Sequence, residues 1–566
     1  MAEAAGPALQ ALAERYWQFL RHEFPLGALL AGQPNDDPTM FREGPQDFAR
    51  RAAQAELMLA ALAGISRDGL SLQDGITHRL LERELDDLRE AYATGSHLRP
   101  WLLPAGPEFN TIFLANVSQF DNVQGARLYV ARLGSLPAYF ADVRACMTLG
   151  ADSGVCHPGV VLSAAVANLR AAAAGAADQS PWFGPFRRSP AAAQAGVVSE
   201  AQFARELIER DIQPALLALA DFIEGELLPR ARDTIACTEG PMGHEFYGFW
   251  VRHFTTCRDL TPRAVHQLGL EQVERLEREM AAVAAQAGFE GDAQGYRSFL
   301  REEPSFHAPT ADEVLIRIQA LAKRIDGKIP GVIGHLPRAT YTVQSIPAAV
   351  AGKLPLAYAQ PSPADGSAAG TFWVSSLPGR VPDYLHVSLT LHEAWPGHLM
   401  HIALMQEMDS LPMFRRANFT RYSACLEGWA MYCEGLGHEM GLYETPHQHF
   451  GRLDMEMWRA CRLVVDTGIH LEGWTRAQAV DYMARRLTLA LPAIEAEVDR
   501  YIAMPAQALG YMLGGLKFRE LRQRAQQRLG ERFSLRAYHD QLMAAGAVTL
   551  PVLEEVMDRW LDDHAA

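Results

Sequence analysis

Two histidines and a glutamate fall within seven residues, His392-Glu393-Ala394-Trp395-Pro396-Gly397-His398. They offer two imidazole ligands for a metal ion with a carboxylate beside them. Imidazole nitrogen and carboxylate oxygen are the donors of hydrolytic zinc centres, in which three protein ligands leave one position open for water. In the familiar H-E-x-x-H arrangement the histidines lie one helical turn apart on one face. Here the residue four after His392 is Pro396, which is no ligand, and the next histidine is six positions on. Six residues of unbroken helix turn through about 600°, leaving His392 and His398 roughly 120° apart. Pro396 lacks the N–H that would bond the His392 carbonyl, and Gly397 tolerates unusual dihedrals. A distorted helix at 394–398, kinked or bulged, is therefore expected to return His398 to the metal side. His401, one turn past His398, is the rival ligand.

A third ligand is expected from a following helix, and Glu427-Gly428-Trp429-Ala430-Met431-Tyr432-Cys433-Glu434 is the best candidate. Glu427 and Glu434, seven apart, share a face: the first as ligand, the second as either a hydrogen-bond partner of a ligand histidine or an ordinary solvated or core-edge carboxylate. With zinc on His392, His398 and Glu427, Glu393 is placed to take a proton from the metal-bound water and return it to the leaving amine. The oxyanion needs a donor besides zinc. Tyr511 is the first choice and His470 the second, although a lone histidine at an element end is more often structural. Lys517 is a candidate contact for a carboxylate or the oxyanion. Tyr247, Tyr501 and His539 are lesser candidates, and Trp395 is read as packing.

The segment beginning at Glu427 is similar to the N-E-G-F-A segment of aminopeptidase-N-like zincins, a resemblance that makes Glu427 the third zinc ligand. The chain also resembles the bacterial domain-of-unknown-function family 885, whose H-E-A-x-P-G-H followed by E-G-W-A-x-Y-x-E is matched residue by residue. The likeness extends to Gly243 through Thr256, to Asp365-Gly366 with Gly370-Thr371-Phe372, to Arg459 through His470, and to Pro505 through Tyr511. It spans most of the chain. It implies a helical gluzincin-type fold, related in architecture to oligopeptidases and carboxypeptidases with a deep channel, and peptide-bond hydrolysis. One departure stands out: Leu399 and His401 occupy the second histidine and the glutamine of the family's usual P-G-H-H-x-Q.

The elements that must position these groups are mostly helices. Leu9, Leu12, Tyr16, Phe19 and Leu20 share a face, as do Ile76, Leu80 and Leu88, and Gly269, Val273, Leu276 and Met280. Thr261-Pro262 reads as an N-cap with a first-turn proline, and Thr310-x-x-Glu313 and Thr475-x-x-Gln478 have capping-box spacing. Residues 172–197, rich in Ala, Gly and Pro, read as a long surface loop or lobe boundary. Residues 338–377 carry β-favouring runs, Thr340 to Val343 and Thr371 to Val374, around a turn-rich stretch, Pro361 to Gly366. They predict a small antiparallel sheet beside the active site. Its edge either accepts a peptide as one more strand, with Phe372 and Trp373 as candidate substrate contacts, or serves as a structural hairpin. The fold expected is a large, mainly α, zincin-like one, either with an N-terminal helical lobe over 1–230 and a catalytic lobe over 231–566 or as one continuous domain.

Composition sets the outer bounds. A chain of 566 residues exceeds the roughly 250–300 at which one core stops growing. The apolar fraction of 49% with 21% charged residues is that of a globular protein, and no run suits a membrane span. The N-terminus, Met1-Ala2-Glu3-Ala4-Ala5-Gly6-Pro7, does not resemble an export signal, so the cytoplasm is the default. A net charge of −15 without a basic cluster argues against nucleic-acid and anionic membrane partners. The seven scattered cysteines suggest neither a disulfide framework nor a thiolate metal site. The expected function is zinc-dependent hydrolysis of small peptides. The competing readings are a zinc amidase for non-peptide or modified amides and a non-catalytic, metal-stabilised helical binding protein.

Overall fold

The structure, a computed structural model, describes all residues except 1, 34–35, 352–354, 365, 378, 418–420 and 566. Met1 and Asp365, named above, lie outside the described residues. The chain is mainly helical with one small sheet. It divides into two compact units, Met1–Phe249 with Asp499–Pro505, and Trp250–Val498 with Ala506–Ala566.

In the first unit the periodic faces supply core residues: Leu9, Leu12, Tyr16, Ile76 and Leu80 are buried, while Phe19, Leu20 and Leu88 at the ends of those faces are half-buried. The Tyr16 hydroxyl donates to buried Glu84 at 2.8 Å, joining the helices Ala2–Glu23 and Leu72–Ala93. The stretch 172–197 is not a surface loop. Trp182, Phe183 and Phe186 are buried, and Trp182 Nε1 donates to Thr111 Oγ1 at 3.1 Å. Three large aromatic rings outweigh the surrounding Ala, Gly and Pro, because their burial is worth more than the turn-forming neighbours cost.

Glu108, in the helix Pro107–Val117, is buried, and burial pushes its carboxyl up to about 7. The folded-state pKa then exceeds the unfolded one, so the ionised form costs stability, a cost that sets in as pH rises from about 4.5 towards 7. Glu108→Gln is expected to raise unfolding free energy by about 1–3 kcal/mol at pH 8.5. It should change little at pH 4, as chemical denaturation at the two pH values will show.

In the second unit the elements bearing on the site are α1 (Pro262–Gln286), β1 (Tyr341–Ser345), β2 (Ala357–Gln360), β3 (Gly370–Val374), α2 (Asp383–Glu393), α3 (His398–Gln406), α4 (Ser423–Leu436), α5 (Pro446–His470) and α6 (Gly510–Leu529). Thr261 Oγ1 accepts from Ala264 N as the N-cap of α1. The capping box at Thr475 and Gln478 forms in both directions. At Thr310 only half of the box forms, because the Glu313 carboxylate pairs with Arg317 instead of reaching back.

The sheet is mixed rather than antiparallel. Its order is β1-β3-β2, with β1 parallel and β2 antiparallel to β3. The most apolar run, Gly370 to Val374, takes the centre and is almost wholly buried, leaving the shorter or more polar strands at the edges. The outer side of β1 is partly closed, since Gln319 Nε2 donates to the Val343 carbonyl at 3.1 Å. On β2, no backbone group of the described residues pairs with the outer edge.

Candidate metal centre

The chain between the two motif histidines breaks rather than bends. Helix α2 ends at Glu393, Ala394 and Gly397 adopt ψ near −130° and −136°, the Trp395-Pro396 peptide is cis, and α3 begins at His398 itself. The expected distorted helix is thus two helices joined by a tight turn. Glycine is required in that turn: a Cβ on Gly397 would lie 1.9 Å from the His392 carbonyl oxygen and 2.4 Å from that of Leu391.

The break re-aims His398. Its Nε2 lies 3.3 Å from Glu427 Oε2, and His392 Nε2 lies 3.5 Å from the same oxygen. The rings of the two histidines stand nearly perpendicular, 4.8 Å between centroids. Donors bound to one zinc at about 2.0–2.1 Å in a tetrahedron are about 3.3 Å apart, close to the two histidine–carboxylate spacings of 3.5 and 3.3 Å. These three residues form the metal-competent group of the described residues, with donor atoms all within 4.8 Å of one another. The nitrogen and oxygen donors, the spacing and the three-ligand count fit zinc with an open fourth position.

His401 is not part of this group. It is buried against Trp429, with ring centroids 6.2 Å apart, and among the described residues neither ring nitrogen has a hydrogen-bond partner. Burial, reinforced by His398, presses its pKa down to about 3, so it is a neutral core imidazole. His398→Ala is expected to weaken zinc binding by more than the roughly 10–100-fold typical of outer partners, while His401→Ala leaves it within a few-fold. Competition with a chromophoric chelator measures both.

Five positions of the second motif have a physical task. Glu427 supplies the carboxylate. Gly428 lets α4 approach α6, since a Cβ there would sit 2.5 Å from the Gly514 backbone, and one on Gly514 would sit 1.9 Å from the Ala424 carbonyl oxygen. Trp429 Nε1 donates to the Pro396 carbonyl at 2.8 Å, tying the inter-helix turn to α4. The Tyr432 hydroxyl meets His539 Nε2 at 2.7 Å, and His539 Nδ1 bonds the Val332 carbonyl oxygen, so this histidine is structural. Glu434, one face repeat below Glu427, lies 2.9 Å from His392 Nδ1. A carboxylate there fixes the tautomer that leaves Nε2 for a metal.

Electrostatics bind the group together. Burial alone would strip His392 of charge, yet Glu427 and Glu434 hold its pKa up to about 9. Burial likewise opposes the Glu427 carboxylate, but His398 and His392 hold it well below the usual range. In the metal-free protein a proton therefore occupies the place of a cation. A zinc ion binding here would have to displace it, so its apparent affinity is expected to climb with pH up to about 9 and to fall as pH drops below that. Titration calorimetry in buffers of different ionisation enthalpy should register close to one proton released per zinc at pH 7.

Glu393 ends α2 beside these ligands, half-buried, and among the described residues no side chain hydrogen-bonds its carboxylate. The remaining candidates lie on several elements. Tyr511 opens α6 with the Arg462 guanidinium over its ring at 4.3 Å. His470, the last residue of α5, is fully buried, as are Tyr247 and Tyr501. Lys517 is engaged by Glu520 at 2.7 Å and Glu554 at 3.2 Å. Phe372 has no exposed surface and belongs to the core, correcting its reading as a substrate contact. Trp373, its neighbour on the opposite face, is half-buried, stacks on Tyr358 and donates to Gln360. Trp395 packs on Tyr341 of β1, with centroids 5.5 Å apart. Arg459, unassigned by the sequence beyond its place in a resembling block, lies 3.2 Å from Glu434 Oε1. Asp466 of the same block accepts from Ala506 N and so ties α5 to the turn before Tyr511.

Over residues 25–557 the chain matches the family described as bacterial protein of unknown function (DUF885). The chain belongs to this family. None of the curated proteins matches it. Among solved structures, the chain is similar to one titled a "putative lipoprotein" from Colwellia psychrerythraea, with 28% identity, 99% of each chain covered and a TM-score of 0.92. A second, titled a "putative lipoprotein of unknown function" from Shewanella oneidensis, has 17% identity, covers 96% of this chain and 98% of its own, and has a TM-score of 0.72. The first likeness runs along the whole DUF885 chain, and the second speaks to the fold. No helix of the described residues is long and apolar enough to cross a membrane.

Proposed function

We propose that this DUF885 protein is a zinc-dependent peptidase acting on short peptides, of the gluzincin type. The observation that carries the reading is the convergence of His392, His398 and Glu427 on one point, with Glu393 next to His392 and, among the described residues, without a side-chain hydrogen bond. Bound there, zinc supplies Lewis acidity and lowers the pKa of water. Glu393 takes the proton from the attacking water at its carboxylate oxygen and returns it to the leaving amine nitrogen. His392 keeps its Nδ1 proton on Glu434 and offers Nε2. A carboxylate next to the ligands but outside their set favours a hydrolase over a structural site, which has no use for a general base. The outer edge of β2 suits an extended peptide added as a further strand.

The test is elemental analysis of the purified protein followed by digestion of a mixed peptide library read by mass spectrometry. One zinc per chain and chelator-sensitive cleavage are expected. Absence of metal uptake after dialysis against zinc would defeat the reading, and cleavage confined to non-peptide amides would redirect it to the amidase alternative. The two structural relatives are titled lipoproteins, so cell fractionation is the deciding measurement for the chain's location.

A further inference from the structure

Glu434 is a buried carboxylate, 2% exposed, whose Oε1 serves two partners at once. It lies 2.9 Å from His392 Nδ1 and 3.2 Å from Arg459 Nη2. Arg459 projects from α5, is itself 5% exposed, and bonds its own helix at the Met455 carbonyl. Among the described residues Glu434 is its carboxylate partner. The Glu434 backbone is also held, with the Tyr443 hydroxyl donating to its carbonyl at 2.6 Å. Backbone and carboxylate are thus restrained from different directions.

We infer that Arg459 is a positioning residue for the metal centre, acting through Glu434 to orient His392. The inference rests on the zinc reading above and adds to it the group that makes a buried acceptor behind His392 tolerable. A carboxylate removed from water needs a compensating cation, and removing one partner of a buried pair leaves the other charge stranded. His392 cannot be that cation while it ligates a metal, because ligation requires neutral imidazole. Arg459 supplies the charge from outside the ligand set. It also occupies one lone pair of Oε1, leaving another aimed at His392 Nδ1. The sequence gives no hint of this pairing, because Arg459 and Glu434 lie 25 positions apart on different helices.

Zinc affinity of the purified full chain, measured by chelator competition, tests the inference without recourse to activity. Arg459→Leu is expected to bind zinc about 10–100-fold more weakly, and Arg459→Lys, which keeps a cation, to recover most of the loss. The decisive comparison uses Glu434→Gln, whose neutral amide oxygen still accepts from His392 and needs no counter-charge. In that background Arg459→Leu should cost little further affinity, a non-additivity that a merely structural arginine does not produce. Additive losses, or wild-type affinity in folded Arg459→Leu, overturn the proposal. If Arg459→Leu fails to fold, Glu434→Gln with and without Arg459→Leu decides it: equal affinity supports the positioning role, and a weaker double variant refutes it. Should the unaltered chain bind no zinc, the metal reading itself fails, an outcome distinct from all of these.

Discussion

Replacing Glu393 with glutamine is expected to leave one zinc per chain in place and to lower peptide turnover by about 10²–10⁴-fold. The substitution keeps the shape of the side chain and its position at the end of α2. It removes only the ability to take a proton from water and pass it to the amine. Glu393 is not among the three converging donors, so metal content and thermal unfolding should match the parent protein. Retained zinc with lost turnover supports the assigned base; unchanged turnover would show that another group takes the proton, and the mechanism would fall while the metal site stood. Loss of zinc would instead place Glu393 in the ligand set. Elemental analysis and single-turnover assays on the same preparation separate these results.

The second large effect is expected at Gly397, which carries no chemistry of its own. A Cβ there would stand 1.9 Å from the His392 carbonyl oxygen and 2.4 Å from that of Leu391. Both obstacles are backbone atoms, which no rotamer change can move. Gly397→Ala must therefore push α3 away from α2, carrying His398 off the point it shares with Glu427. Overpacking alone costs about 1–3 kcal/mol, and a backbone obstacle argues for the upper part of that range. The zinc site should suffer more than the fold, because a ligand displaced by a fraction of an ångström per bond loses its geometry while the surrounding helices remain buried. Calorimetric unfolding with and without zinc will show this as a lost zinc-dependent rise in Tm, together with a lower Tm of the metal-free protein. A variant with parental Tm and parental zinc affinity would mean that the turn tolerates a side chain, contrary to the close contact.

Between them these residues show why the site was partly legible in advance. Donor type is a local property, so His392, His398 and Glu427 stand out from their neighbours in the chain. The need for the helix to depart from its course followed from counting: six residues place His398 on the wrong side, and Pro396-Gly397 is where an α-helix can fail. The choice between kink and break was not countable, since it depends on Trp429 reaching across from α4 to hold the Pro396 carbonyl. Phe372 and Trp373 show the same limit in the sheet. Their β-favouring run marks a strand, yet which face is core depends on what packs against it, and only the packing makes Phe372 inaccessible. At 172–197 composition points to a surface loop, because Ala, Gly and Pro dominate, while the fold is set by Trp182, Phe183 and Phe186 finding a core to enter.

By itself the sequence determined what obeys short-range rules: a mainly helical chain, the N-caps at Thr261, Thr310 and Thr475, the core stripes and the kinds of donor available for a metal. Tertiary structure decided what depends on residues far apart in the chain. It chose His398 over His401, set β1 parallel to β3, drew Lys517 to two carboxylates and brought Arg459 and Glu434 together behind His392. The physical reason is that hydrogen bonding and helical periodicity repeat every few residues and leave a trace along the chain. The pairing of buried charges and the approach of two helices at Gly428 and Gly514 are settled only when separate elements pack.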